Sequence, residues 1–156
     1  MVHHIRQFFR QANETVFVLF GEGSWRLRHH EQVILNAGIN NCEPEAQRLL
    51  QQQLLRGFFI EKTNSKINVL RFRDPLEEVR LSAPEFQDMW FRVALLVNGK
   101  REISNVNIYR GLIFSFETRS PKKVYRRADL KVLSVKIDDG AKSLTKAIDR
   151  AEHGSS

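Results

Sequence analysis

Cysteine is almost absent from this 156-residue chain, which contains only Cys42. One thiol cannot form an internal disulfide, so the composition fits a reducing compartment and we expect a cytoplasmic protein. No apolar run approaches the ~18 residues of a membrane helix. The N-terminus "MVHHIRQFFRQ" also lacks the continuous apolar stretch of a signal peptide. We therefore expect no membrane span.

Motifs for catalysis and for metal binding are also missing. The chain has no G-x-S-x-G and no Walker loop, and "GEGS" at 21–24 joins two predicted strands, so it is interpreted as a turn. The histidine pairs at 3–4 and 29–30 have no cysteine or carboxylate framework at ligand spacing. Cys42 has no base placed to activate it. These absences disfavour an enzyme, and we expect no metal and no cofactor.

Positive charge, by contrast, is abundant and concentrated. The formal net charge is +7 and the pI is about 9.9. The segment from Arg119 to Lys136 holds seven lysines or arginines and a single acid, Asp129. Such a local excess favours an anionic partner, which could be a nucleic acid, a nucleotide or an acidic surface.

The N-terminal hydrophobic pattern predicts a helix, a hairpin and a second helix. Apolar residues at i, i+3, i+4 and i+7 indicate a helix over 4–12. The runs "TVFVLF" at 15–20 and "WRLRHH" at 25–30 are typical of paired strands. A second helix is predicted over 44–56, with Pro44 in its first turn and a glycine after its end.

The rest of the chain is patterned as short strands. A strand, a turn at 63–65 and a second strand are predicted within 57–72, and later strands at "EVRLS", "MWFRVALLV", "REISNVNIY", "LIFSFET" and "LKVLSVKI". Residues 141–153 have apolar residues at helical spacing. The sequence thus predicts a mostly β (α+β) fold, an antiparallel β-barrel with a few packed helices. We expect a barrel-like domain over 1–119 and a basic junction over 120–156.

The basic junction resembles that of the flagellar-brake family of PilZ-domain regulators. In that family an apolar strand is followed by a proline, a paired arginine and a third basic residue. Here the corresponding residues are Pro121, Arg126, Arg127 and Lys131 within "LIFSFETRSPKKVYRRADLKV". The family's second motif, D/N-x-S-x-x-G, is similar to "DRAEHG", which supplies Asp149 and Gly154.

The resemblance implies an N-terminal β-barrel, a partial or degenerate PilZ region and a non-catalytic role in motility control. It implies that cyclic di-GMP is bound, with Arg126, Arg127 and Lys131 on phosphates or guanine and with Asp149 and Gly154 completing the pocket. Binding would change contacts with a protein partner such as the motility machinery. This chain departs from the family at Lys131, where the family has arginine, because lysine lacks the planar guanidinium group. It departs again where Ala151 replaces serine.

Two alternatives come from the residues alone. The segment 43–72 could be the recognition helix and wing of a winged-helix DNA-binding module, presenting Gln47, Arg48, Gln51 and Gln52 to a groove. Against this, 13–29 is predicted as strands, whereas that module has helices before its recognition helix. The chain could also be a protein-interaction adaptor.

Overall fold

The computed structural model describes residues 2–63, 66–73, 76–83, 88–118 and 130–139. Within these ranges the chain forms three α-helices, one 3-10 turn and seven strands. In chain order they are α1 (Val2–Leu19), β1 (Gly23–Ser24), α2 (His29–Ile39), α3 (Pro44–Leu55), β2 (Phe58–Lys62), β3 (Ile67–Phe72), the 3-10 turn (Glu77–Val79), β4 (Asp88–Val97), β5 (Lys100–Tyr109), β6 (Leu112–Glu117) and β7 (Leu130–Asp139).

The strands form one antiparallel sheet with the order β1-β2-β3-β6-β5-β4-β7. The predicted mostly β class is therefore confirmed. Among the described residues no pairing joins β1 to β7, so the sheet is open and has two edges where the sequence predicted a closed barrel. Strand β7 pairs with β4 over nine residues, so the end of the basic segment Arg119–Lys136 belongs to this sheet.

The prediction for the N-terminal hairpin is wrong. The run at 15–20 lies mostly within α1, and 25–30 contains no strand because α2 begins at His29. Glu14 explains why α1 continues, because its carboxylate accepts hydrogen bonds from Trp25 at 3.0 Å and Arg73 at 2.7 Å. Phe17 then packs edge-on against Phe59, with ring centroids 6.4 Å apart. These tertiary contacts outweigh the strand propensity of the run.

The later predictions hold with one exception. Helix 44–56, the hairpin within 57–72 and the strands at 89–97, 101–109, 112–118 and 130–137 are confirmed within a residue or two of their ends. The exception is "EVRLS", where the chain forms a 3-10 turn instead of a strand. Its carbonyls and amides bond elsewhere, since the Leu81 amide donates to the Gly111 carbonyl at 3.1 Å. The predicted helix over 141–153 lies outside the described residues.

Helices α2 and α3 pack on one face of the sheet, which we call the inner face. Alternate residues of β4 point to this face and are buried, namely Met89, Phe91, Val93, Leu95 and Val97. They meet the buried side chains of α2 and α3, which are Ile34, Leu35, Ile39, Ala46 and Leu50. The approach is close, because a Cβ on Gly38 of α2 would lie 2.5 Å from the Phe91 ring.

Gln53 is a fully buried polar side chain that joins α3 to two other parts of the chain. Its amide nitrogen donates to the carbonyls of Val79 at 2.8 Å and Gly111 at 2.9 Å. Its amide oxygen accepts from the Ile113 amide at 2.9 Å. All its hydrogen-bonding partners are backbone groups, so this side chain stabilises the 3-10 turn and the start of β6 together.

Two hairpin turns of the same type allow a controlled test of this region. Asn98–Gly99 and Arg110–Gly111 both have positive φ, with 73° at each glycine. A Cβ on Gly99 meets nothing within 4 Å, whereas one on Gly111 would lie 2.1 Å from the Leu81 carbonyl oxygen. Gly99→Ala should cost about 1 kcal/mol of unfolding free energy for the left-handed backbone. Gly111→Ala should cost about 2 kcal/mol more for overpacking.

Urea denaturation of both variants would measure the difference. Equal destabilisation by the two substitutions would show that the contact between the Gly111 turn and the Leu81 carbonyl is not tight.

Candidate ligand site on the outer face of the sheet

The structure places one of the five predicted site residues. Lys131 lies exposed on β7, opposite Leu96 of β4. Arg126, Arg127, Asp149 and Gly154 lie outside the described residues. By strand alternation Lys131 points away from α2 and α3, onto the opposite face of the sheet, which we call the outer face.

The outer face carries a row of cross-strand neighbours that runs over five strands. Trp90 of β4 pairs with Asp138 of β7 on one side and with Asn107 of β5 on the other. Asn107 pairs with Ser115 of β6, and Ser115 pairs with Val69 of β3. Helix α1 lies near β1, β2 and the end of β3, where Phe17 and Trp25 contact the Phe59 ring and Arg10 bonds to the Phe72 carbonyl.

Three aromatic side chains stand on the uncovered part of the outer face. Trp90, Tyr109 and Phe114 remain 49, 48 and 46% exposed. The Tyr109 and Phe114 rings have centroids 5.8 Å apart, and the Arg110 guanidinium lies 5.3 Å from the Tyr109 centroid. A solvent-facing sheet surface is usually polar, so these rings make this part of the outer face a candidate binding surface.

These rings border an open groove of about 720 Å³, within the size range of small-molecule sites. The groove is lined by Thr63, Ile67, Val69, Asp88, Trp90, Asn107, Ile108, Tyr109, Phe114 and Ser115. Its floor is mostly apolar, with a few polar atoms at defined positions. A flat, partly apolar ligand would fit this combination of rings and polar groups.

Asn107 and Asp88 supply the hydrogen-bond acceptors in the groove. The Asn107 amide nitrogen donates to the Ser115 hydroxyl at 2.9 Å. Its amide oxygen is shielded from solvent and has no hydrogen-bond partner among the described residues. The Asp88 carboxylate is exposed at the first residue of β4. The groove therefore favours a ligand that carries N–H donors.

Cationic side chains lie in the next row of the outer face. Arg92 of β4 pairs with Lys136 of β7, about 7 Å along the strands from the Trp90 row. The Arg92 side chain donates from Nε to Asn105 at 3.4 Å, and neither cation has an ion-pair partner in the described part of the chain. An anionic group bound there would lie beside a ring bound on Trp90.

Sequence reasoning predicted the strands of this groove but missed its residues. The signal was the alternation in "DMWFRVALLV", where Trp90 and Arg92 fall between the buried residues at 89, 91 and 93. A large aromatic on the solvent side of an alternating strand is the pattern that marks a binding face. The groove as a whole could not be found this way, because β3 and β6 meet only through long-range pairing.

A buried ionic group lies beneath the N-terminus of α2. The Lys62 ammonium lies 3.7 Å from the Glu31 carboxylate, and neither side chain has exposed surface. Burial lowers the pKa of Lys62, while the nearby Glu31 carboxylate opposes that shift. Lysine amines with lowered pKa values can act as nucleophiles, but no substrate could reach this one. We interpret the pair as structural.

Helix α3 is preceded by two helices, which corrects the main objection to a winged-helix arrangement. The order α1, β1, α2, α3, β2, β3 is that of such a module, and four residues separate α2 from α3. The charge is less favourable. Glu43 and Glu45 stand at the start of α3, and Arg48 is paired with Glu45 at 2.6 Å. The exposed side of α3 therefore offers phosphate little positive charge.

Within the described ranges, no group of three or more histidine, cysteine, aspartate or glutamate residues could hold a metal ion. No helix in the same ranges is long and apolar enough to cross a membrane. Comparison with protein-family models, with curated proteins and with solved structures found no match to this chain. The resemblance to flagellar-brake regulators stays a prediction.

The buried His30 predicts a pH dependence of stability. Burial, aided by Arg28, lowers its pKa to about 4, against an ordinary value of about 6.5 in an unfolded chain. The unfolded chain therefore binds the proton first as pH falls, so this contribution is present above pH ~6.5 and is lost toward pH ~4. The melting temperature should fall less steeply from pH 7 to 4.5 in His30→Gln than in the wild type.

The adjacent His29 is exposed and provides the control. His29→Gln should keep the wild-type slope in the same calorimetric series. If His30→Gln keeps that slope as well, the buried histidine does not contribute to acid sensitivity.

Proposed function

We propose that this protein is a non-catalytic regulatory receptor for a nucleotide, and that cyclic di-GMP is the ligand. The observation that carries the proposal is the uncovered outer face of the sheet. There three half-exposed aromatic rings border one groove, and one of them, Trp90, lies one row from two cations without ion-pair partners in the described ranges. A nucleotide combines a flat base with an anionic phosphate, which is the combination that this surface complements.

The groove would take the base. A purine ring stacks favourably on tryptophan or tyrosine, and Trp90 and Tyr109 both border the groove. Guanine carries N–H donors along its Watson–Crick edge, and the Asp88 carboxylate and Asn107 amide oxygen are acceptors that could receive them. Adenine lacks that set of adjacent donors, so this pair of acceptors favours guanine.

The cations would take the phosphates. Arg92 and Lys136 are adjacent on the outer face, and Lys131 lies on the same face of β7. The resemblance adds Arg126 and Arg127 to this phosphate site, with Asp149 and Gly154 completing the pocket. Lys131 belongs to both the motif and the sheet, where it lies opposite Leu96 and outside the groove, so it would extend the cationic side of the site from Lys136 toward the basic junction. Occupancy would then alter contacts with a protein partner such as the motility machinery.

Duplex DNA binding through α2 and α3 is the second candidate function. The observation that favours it is the order of elements from α1 to β3. Gln51 and Gln52 lie on the solvent side of α3, where they could contact bases. This function predicts an affinity that falls steeply with salt, because bound counterions are released from the phosphates.

Calorimetric titration with cyclic di-GMP would test the proposed function. Trp90→Ala should weaken binding about tenfold or more, because base–aromatic stacking contributes about 1–3 kcal/mol. Ile103→Ala is the matched control. Ile103 lies exposed on the outer face of β5, but it does not line the groove. The combined Arg126→Ala and Arg127→Ala variant tests the phosphate site that the resemblance implies.

Parallel titrations with a single-stranded oligonucleotide and a DNA duplex distinguish a free nucleotide ligand from a nucleic acid that carries the same base and phosphate groups. Binding of the oligonucleotide alone, lost in Trp90→Ala, would move the function to single-stranded nucleic acid. Salt-sensitive duplex binding that Trp90→Ala leaves unchanged would favour α2 and α3. Cyclic di-GMP binding with equal affinity in all variants would contradict the proposed site.

A further inference from the structure

Strand β7 forms one edge of the sheet. It pairs with β4 on one side from Leu130 to Asp139, and no described strand pairs with its other side. Its apolar residues Val132, Leu133 and Ile137 remain 38, 45 and 42% exposed. A ten-residue edge strand with exposed apolar side chains is a template for pairing with another strand.

A bulge determines which residues of β7 share a face. Ala94 pairs with Ser134 and Leu95 pairs with Val132, so Leu133 is the extra residue. As a result Val132, Val135 and Ile137 point to the inner face. Lys131, Ser134, Lys136 and Asp138 point to the outer face. If the bulged Leu133 is left out of the count, Val132 and Ile137 lie at equal distances on either side of Val135, and so do Lys131 and Asp138.

We propose that two copies of this chain pair through β7, antiparallel, about a two-fold axis at Val135. In this register Val132 lies opposite Ile137 of the partner subunit, and Lys131 lies opposite Asp138 of the partner subunit. Each contact occurs twice because the interface is isologous. The two seven-stranded sheets then become one continuous sheet.

Charge selects this register over its neighbours. A shift by one position would place apolar residues of one copy opposite polar residues of the other, on the wrong face. A shift by two in one direction would place Lys131 opposite Lys136 of the partner subunit. The same shift in the other direction would place Lys136 opposite Lys136 of the partner subunit. Among these registers, only the one centred on Val135 pairs lysine with aspartate, and like charges facing each other across strands are destabilising.

The proposal does not depend on the bound nucleotide. It uses the outward hydrogen-bonding edge of β7, whereas the groove lies on the outer face between β3 and β4. Either proposal can therefore fail without the other. The pairing would also place two copies of α2 near each other, since α2 packs against β7 on the inner face.

Charge reversal tests the register on the full chain by sedimentation velocity across a concentration series. Lys131→Asp and Asp138→Lys should each weaken dimerisation at least tenfold, because each creates two repulsive contacts. The double variant should regain dimerisation, because it exchanges the two charges. Lys100→Glu is the control for a charge change at an exposed residue of β5, and it should leave dimerisation unchanged.

Oxidative crosslinking in a Cys42→Ser background provides a second measurement. Val135→Cys places two cysteines at the axis within disulfide reach. In Ile137→Cys the two cysteines would lie about 14 Å apart and should not crosslink. A chain that stays monomeric at all concentrations would overturn the proposal. A dimer that neither reversal weakens, or that crosslinks equally at both positions, would overturn it as well.

Discussion

The buried amide of Gln53 holds together three segments that are far apart in the sequence. Through it α3 bonds to the 3-10 turn at 77–79 and to the β5–β6 turn at Gly111 and Ile113. An apolar residue there would remove the Gln53 bonds to the Val79 carbonyl and the Ile113 amide, at about 1–3 kcal/mol each, while the Gly111 carbonyl would keep its bond from the Leu81 amide. The absence of a Cβ at Gly111 is part of the same arrangement, since the Leu81 carbonyl occupies that space. This contact orients α3 over the inner face of the sheet.

Because the helices cover the inner face, the outer face is where the sheet can meet a ligand. The buried sides of β4 and β5 carry the core, and their opposite sides carry Trp90, Arg92, Asn107 and Tyr109. A rigid sheet holds such side chains at fixed spacing, which suits recognition of a flat ligand without closure of a loop. Because the sheet is open, β7 is left as an edge strand. The proposed ligand binding on the outer face and the proposed pairing at β7 therefore both depend on an open sheet of which α2 and α3 cover only the inner face.

Local alternation was enough to predict β4 and β5, since buried residues recur at every second position over most of each strand. The predicted helix over 4–12 lies within α1, but pattern reasoning failed for the C-terminal part of α1 and for α2. Val16 and Phe17 have strand propensity. Their helical conformation is explained by contacts with distant residues, since Trp25 and Arg73 bond to Glu14 of the same helix and Phe59 packs against Phe17. The sheet of the described residues is not closed, so it matches the predicted barrel only loosely, for a related reason. Whether edge strands meet depends on long-range pairing, which no local pattern encodes.

The candidate site was predictable only in part. The basic segment Arg119–Lys136, which includes Lys131, was visible in the sequence, and its charge indicated an anionic partner. The groove was not visible, because its residues come from β3, β4, β5 and β6 and meet only when the strands are ordered β3-β6-β5-β4. Asp88 and Asn107 illustrate the difficulty, since 19 positions separate them in the sequence. They line the same groove only because β4 and β5 are neighbouring strands.

The most direct test of the nucleotide-binding account is to follow the two indole N–H signals by NMR during addition of cyclic di-GMP. Trp90 borders the groove, whereas the Trp25 indole donates to Glu14 beside α1, away from it. The account predicts that the Trp90 signal shifts saturably with ligand while the Trp25 signal stays in place. A shift confined to Trp25, or no shift of either signal at saturating ligand, would contradict it.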